Sequence, residues 1–199
     1  PGEGAGQPVN ITILHMNDHH SHVLAEDFDY DVSGLSLTET TEAGTAIAEV
    51  EATYGGFPAM VSLFNQLESE NENVIKLHAG DAITGTLFFS LFKGDVDAAV
   101  MNEICFDAFA VGNHEFDEGD AGLVRFLDAL AGTDCETPAL GANVVPGPDS
   151  SLGTDYLQPY TIIERGGEQI GIVGVVIAQK TAVSSNPDDG TEFLDETES

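Results

Sequence analysis

The sequence predicts an α/β fold built on a mostly parallel sheet covered by helices on both faces. Two observations carry that expectation. Apolar, β-rich runs alternate with segments of helical periodicity through the middle of the chain, the pattern of strands and crossover helices. Three of those runs also stop at chemically loaded turns: His15-Met16-Asn17-Asp18-His19-His20, Leu77-His78-Ala79-Gly80-Asp81 and Ala110-Val111-Gly112-Asn113-His114-Glu115-Phe116-Asp117. Open α/β sheets bind ligands in the crevice beyond the carboxyl ends of their strands, so function is expected there.

Val9 to Met16 is long enough for a central strand. Residues 23 to about 54 are polar, acidic and rich in Thr and Gly, and read as a long surface excursion. Within it Asp27, Asp29 and Asp31 alternate ahead of Ser33-Gly34. No glycine falls at the sixth position and no glutamate at the twelfth, so the EF-hand pattern fails and a solvated acidic loop is expected. After Gly55-Gly56, the residues Phe57, Met60, Val61, Phe64 and Leu67 fall at helical spacing, predicting a helix over 57–69 with Phe64 in the core.

Asn73 to Leu77 is the second strand. Asp95 to Ile104 is a helix with Val96, Val100 and Ile104 on one stripe. Asp107 to Val111 is the third strand, and the next helix runs from Gly119 to Leu130 through Leu123, Phe126 and Leu127. Ala139 to Val145 gives a fourth strand. Tyr160 to Arg165, Gly166-Gly167 and Gln169 to Ile177 form a hairpin pattern. The tail from Ser184 is polar and acidic without periodicity.

With 199 residues, 42% of them apolar, the chain is expected to form one domain with one good core. Thirty-five Asp and Glu face five Lys and Arg, for a net charge of −30. Such a surface repels nucleic acid and anionic membranes, which argues against binding either. It stays soluble when salt screens every charge, and so suggests a halophilic or salt-tolerant source. No apolar run reaches the length of a membrane span. Residues 1–8, Pro-Gly-Glu-Gly-Ala-Gly-Gln-Pro, read as a flexible leader left by signal-peptide removal or by expression. Cys105 and Cys135 are either a disulfide, if the protein is exported, or two buried thiols.

Asp18 and His20 lie at i and i+2, so on an extending strand both point to one side. Asp81 offers a carboxylate free to bridge, Asn113 a neutral amide oxygen and His114 an imidazole. This mixed donor set suits borderline or hard divalent ions such as Zn, Mn, Fe or Mg. A carboxylate shared by two ions defines a two-metal hydrolase. His15, His19, His22 and His78 read individually as hydrogen-bonded structural residues.

Asn17-Asp18-His19-His20, Gly80-Asp81 and Gly112-Asn113-His114-Glu115 resemble, in order and spacing, the first three motifs of the calcineurin-like metallophosphoesterases. Asn-Asp-His-His with Gly-Asn-His-Glu-Phe-Asp looks like the periplasmic 5′-nucleotidase branch. The stretch from His78 to Phe89, with Asp97 to Asn102, is most similar to bacterial NAD nucleotidases. The resemblance covers nearly all of residues 9 to 195.

It implies a four-layer α/β/β/α sandwich, incomplete in this chain, and an exported, periplasmic or secreted enzyme. Its cofactors would be two divalent metal ions, Zn, Mn or similar. Asp18 and His20 would bind the first metal, Asp81 both, and Asn113 the second. His114 would be catalytic at the substrate phosphate beside Asn113, with Asp117 orienting its ring. The implied reaction is attack of metal-bound hydroxide on phosphorus, releasing phosphate from nucleoside 5′-monophosphates or cleaving NAD. Alternatives on the same site are a phosphodiesterase for 2′,3′-cyclic nucleotides or nucleotide sugars, or a non-catalytic assembly module.

One departure stands out. No histidine follows Asp117, whereas the family takes further metal-binding histidines from downstream motifs and then adds a nucleoside-binding domain. Four side chains cannot fill two coordination spheres of about five or six. Residues 9–199 are therefore expected to be the N-terminal part of a catalytic domain, partnered by the remaining C-terminal part. A nicked second chain is one form that partner could take.

Overall fold

The computed structural model describes residues 8–35, 44, 47–132 and 134–197. All of the expected leader except Pro8 lies outside them.

Strand β1 (Thr12–Met16) is followed by β2 (Ala25–Asp31) and β3 (Glu49–Gly55), which pair antiparallel along their whole length. This ribbon replaces the structureless excursion expected between 23 and 54, of which residues 36–43, 45 and 46 lie outside the described set. Both strands do alternate, Asp27-Phe28-Asp29-Tyr30-Asp31 against Glu49-Val50-Glu51, but the acidic, Thr- and Gly-rich composition outweighs that short signal, and the apolar side (Phe28, Tyr30, Val50, Tyr54) stays exposed. The three aspartates sit on this ribbon: Asp27 accepts from Thr53 Oγ1 at 2.6 Å and Asp31 from Ser33 N at 2.9 Å.

Helix α1 (Phe57–Glu70) carries Pro58 in its first turn, where a missing N–H costs nothing. Strand β4 (Val74–His78) then leads to the short helix α2 (Leu87–Phe92), absent from the sequence reading. Thr86 caps α2 by accepting from Phe88 N at 3.1 Å. Helix α3 (Asp95–Ile104), strand β5 (Ala108–Ala110), a single 3-10 turn (His114–Phe116) and helix α4 (Gly119–Ala131) follow. The expected strand over 139–145 divides at Gly141 into β6 (Ala139–Leu140) and β7 (Val144–Val145), which join different sheets. The hairpin of β8 (Tyr160–Arg165) and β9 (Glu168–Val173) forms, with its second strand ending at Val173 and not at Ile177. The tail is more ordered than its composition indicated. Helix α5 (Ala178–Ser184) and β10 (Glu192–Phe193) form there, the latter antiparallel to β7.

The main sheet has the order β1-β4-β5-β6, with every pair parallel. Its register is what builds the site. Met16 pairs with His78, and His78 with Phe109, so the three loaded turns leave the sheet at one level.

Phe57 and Phe64 of α1, Met101 and Ile104 of α3, and Leu123, Phe126 and Leu130 of α4 form one core cluster with Phe109 of β5. Leu14 and Met16 of β1 pack against it, whereas Ile11 and Ile13 are exposed. The sheet is thus covered on the helix side, and not on both faces, at β1. The α4 stripe lies where predicted. The α3 stripe is rotated by one residue: Asp97, Ala98, Met101 and Ile104 are buried. Asp97 turns inward because it has polar partners in the core, described below.

Candidate metal centre

The turns after β1 and β4 zip together through their backbones. Ala79 N donates to Met16 O, Asp18 N to Gly80 O, His20 N to Asp81 O and Ser21 N to Ala82 O, all within 3.2 Å. This zipper forces unusual conformations: Asp18, His20 and Asp81 have φ of 51°, 44° and 53°. Left-handed backbone costs an L-residue on the order of 1 kcal/mol and persists where the surroundings over-determine it. Three of the four expected metal ligands are held this way.

The geometry brings most of the expected ligands to one place. His20 Nε2 lies 3.6 Å from Asp18 Oδ1 and 3.8 Å from Asp81 Oδ2. Asp18 and His20 share a side as expected, though through a left-handed turn and not a continuing strand. One ligand-capable atom from each of His20, Asp81 and His114 falls within 4.8 Å of the others. The rings of His20 and His114 stand 4.9 Å apart, edge to face. His114 therefore stands among the ligand candidates. Asn113 is buried immediately before it, and His114 N donates to Asp81 Oδ1 at 3.0 Å.

The residues fit a cation. Among the described residues, His20 Nε2 is buried and makes no hydrogen bond. Buried polar atoms are normally satisfied, and a buried imidazole nitrogen that faces two carboxylates without a hydrogen bond has the donor chemistry to hold a divalent cation.

Beneath the cluster lies Glu115, part of the Gly112-Asn113-His114-Glu115 motif but with no role legible from its neighbours in sequence. It is buried, and its carboxylate accepts from Asp81 N at 2.9 Å, Ala82 N at 2.7 Å and Gly112 N at 2.6 Å. One side chain thereby clamps the Asp81 turn to the Asn113 turn. Burial, reinforced by the nearby Asp81 charge, pushes its pKa up to about 7 against the pull of those backbone N–H groups.

The His114 ring is hydrogen-bonded. Its Nδ1 lies 2.7 Å from Asp117 Oδ2, and the same oxygen accepts from Thr84 Oγ1 at 2.9 Å. A strap from the tail holds this turn from outside. Ser185 Oγ donates to Asn113 O at 2.7 Å, Asn186 N to Phe116 O at 3.1 Å and Asn186 Nδ2 to Asp117 O at 2.9 Å.

His19 and His78 are structural, as expected, and pair at 3.0 Å, with Asp97 on the far side of His19. Burial holds His78 neutral, its pKa down to about 3. His15 and His22 are exposed. The one signal for Asp97 was an acid among the small and apolar residues of α3. Cys105 and Cys135 form a disulfide.

Known proteins resemble the chain in sequence and fold. The profile described as Calcineurin-like phosphoesterase matches residues 11–175. A probable 5′-nucleotidase of Treponema pallidum is 43% identical over 188 residues, covering 94% of this chain and 28% of that protein. An NAD 5′-nucleotidase of Haemophilus influenzae is 40% identical over 192 residues, 96% of this chain and 29% of that one. The solved structure of the Haemophilus influenzae NAD nucleotidase superposes with a TM-score of 0.79 at 40% identity, covering 94% of this chain and 30% of its own. The chain thus spans less than a third of the length of these relatives. With the matched profile spanning every turn that builds the centre, the chain belongs to the calcineurin-like phosphoesterases.

Proposed function

We propose that this chain supplies the N-terminal ligand set of an exported two-metal phosphohydrolase that removes phosphate from nucleoside 5′-monophosphates and cleaves NAD. The observation that carries the reading is the convergence of His20, Asp81 and His114, with the unbonded His20 Nε2 between two carboxylates.

In this reading Asp18 and His20 would hold one ion, Asp81 would serve both, and Asn113 would hold the second through its amide oxygen. Bound divalent cations would neutralise the phosphate and activate a water for attack. His114 keeps its Nδ1 proton on Asp117, which leaves Nε2 to face the substrate phosphate and the departing oxygen. Thr84, on the same Asp117 oxygen, keeps that carboxylate from swinging away. The remaining ligands and the nucleoside-binding surface belong, in this proposal, to the segment that the relatives carry beyond the matched part, on the same polypeptide or as a nicked chain.

Export is supported by the Cys105–Cys135 disulfide, which an oxidising compartment favours. Among the described residues no helix is long and apolar enough to cross a membrane. The −30 charge supports a saline environment.

The test is turnover by the full-length protein of AMP, NMN, NAD and a 2′,3′-cyclic nucleotide, with and without a chelator. Phosphate from AMP and cleavage of NAD, both abolished by chelation, are the expected results. Turnover of the cyclic nucleotide alone would replace the nucleotidase reading with a phosphodiesterase. Full activity in chelator would remove the metal mechanism.

A further inference from the structure

Two imidazoles and a carboxylate buried beside the centre take no part in the reaction proposed above. Their hydrogen bonds have a direction. Gly80 N donates to His78 Nδ1 at 3.2 Å. A backbone N–H only donates, so His78 Nδ1 holds a lone pair and the ring proton sits on Nε2. That proton faces His19 Nδ1 at 3.0 Å. His19 therefore accepts there and carries its own proton on Nε2, 3.0 Å from Asp97 Oδ1. Ser21 Oγ donates to Asp97 Oδ2 at 3.0 Å. Each donor has an acceptor, and the chain runs one way, from Gly80 to Asp97.

Where the members sit matters as much as how they bond. Gly80 directly precedes Asp81. His19 lies between Asp18 and His20. Asp97 is anchored in the first turn of α3, where the helix N-terminus favours a carboxylate. Exposure is 1% at His78 and Asp97 and 8% at His19. The rings of Phe57 and Phe106 stand edge-on against His19 and His78 at 4.8 and 5.3 Å, closing the chain off from water. A polar chain in such a place is costly to desolvate, and apolar side chains of the same size would fill the space without that cost. Packing alone does not account for it.

We propose that the Asp97–His19–His78 chain is a positioning relay. It fixes the turn carrying Asp18 and His20 against the turn carrying Asp81, and so sets how tightly the centre holds its divalent cations. The left-handed backbone at all three ligands needs such restraint. The relay supplies it by tying a side chain within one turn, through a second ring, to the backbone of the other. This rests on the two-ion reading above.

The experiment measures Mn²⁺ affinity of the full-length protein, stripped by chelator, through competition with an indicator dye. The Tm of the stripped protein is recorded alongside. His78→Phe keeps a ring but removes both hydrogen bonds; His78→Gln retains an N–H that reaches toward His19. We expect His78→Phe to weaken Mn²⁺ binding about 10-fold or more, the usual cost of losing a group that orients a ligand, and His78→Gln to recover most of it. Affinity within twofold of wild type in His78→Phe, whatever happens to Tm, would overturn the relay. Equal losses in the Phe and Gln variants would do the same, because the ring and not the bond would then matter. Should His78→Phe not fold, Asp97→Asn carries the test: it keeps the shape, removes the charge and is expected to weaken Mn²⁺ several-fold, and an unchanged affinity refutes the proposal. A wild-type protein that binds no Mn²⁺ strikes at the two-ion reading itself, a result distinct from wild-type binding that the variants leave intact.

Discussion

Gly80 and Gly112 touch backbone to backbone: a Cβ added to Gly80 would stand 2.5 Å from the Gly112 nitrogen. A Cβ on Gly112 would in turn lie 2.6 Å from the Asp81 nitrogen. The two turns can bring Asp81 and His114 together only because neither neighbour has a side chain there.

Alanine at either position is therefore expected to displace Asp81. Gly80→Ala also places a side chain at φ 89°, which L-residues rarely adopt. We expect each substitution to lower stability by on the order of 2 kcal/mol and to reduce bound metal in the full-length protein. Thermal melts and metal analysis check both. A variant with normal metal content would show that the approach is not what places Asp81.

Much of this was readable from sequence, and the reason is local. A strand that ends in glycine and is followed by Asn, His, Glu and Asp has few structural alternatives, so Asp18, His20, Asp81, Asn113 and His114 could be named from spacing and resemblance. What could not be read depends on contacts distant in sequence. Asp97 reaches His19 across 78 positions, and Glu115 serves nitrogens 33 and 34 positions away. The β2–β3 ribbon was missed because its short alternation (Asp27-Phe28-Asp29-Tyr30-Asp31, Glu49-Val50-Glu51) sits in acidic, loop-like composition and buries no face. Helix α2 was missed because six residues are too few for periodicity to show.

The Asp117 carboxylate fixes which nitrogen of His114 carries the proton. Asp117→Asn weakens that hold, and kcat for AMP in the full-length protein is expected to fall about 100-fold. Metal content should stay near normal, since the Asp117 carboxylate is taken up by His114 Nδ1 and Thr84 Oγ1. Thr84→Val, which removes one of two bonds to the same oxygen, should cost only a few-fold. Loss of metal in Asp117→Asn would reassign the pair to coordination.

His78 and Glu115 give the fold opposing pH dependences. The folded pKa of His78 is lowered from 6.5 to about 3, so its stability contribution is present above pH 6.5 and is lost as pH falls toward 3. That of Glu115 is raised from 4.5 to about 7, so its contribution is present below pH 4.5 and is lost as pH rises toward 7. Between pH 4.5 and 6.5 the two slopes cancel. His78→Gln, which does not titrate, removes one of them. Relative to wild type, the variant should gain about 1 kcal/mol per pH unit as pH falls from 6.5 to 3, read from urea midpoints of the metal-free protein. Parallel pH profiles for the two proteins would contradict a buried, neutral His78.

The Cys105–Cys135 bond closes a 30-residue separation between the end of α3 and the approach to β6. A crosslink of that span restricts the unfolded chain and is worth about 3 kcal/mol. Replacing both cysteines with serine should lower Tm markedly while leaving substrate preference unchanged. An unchanged Tm would mean that the crosslink adds nothing to this fold.

In the proposed two-ion centre, Asp81 stands between the cations. Metal analysis of the full-length protein, purified without chelator, tests this most directly when wild type is set beside Asp81→Asn. About two divalent ions per polypeptide in wild type, with both lost or greatly weakened in the variant, is the predicted result. A wild type that holds no ions, or a variant that keeps both, would contradict it.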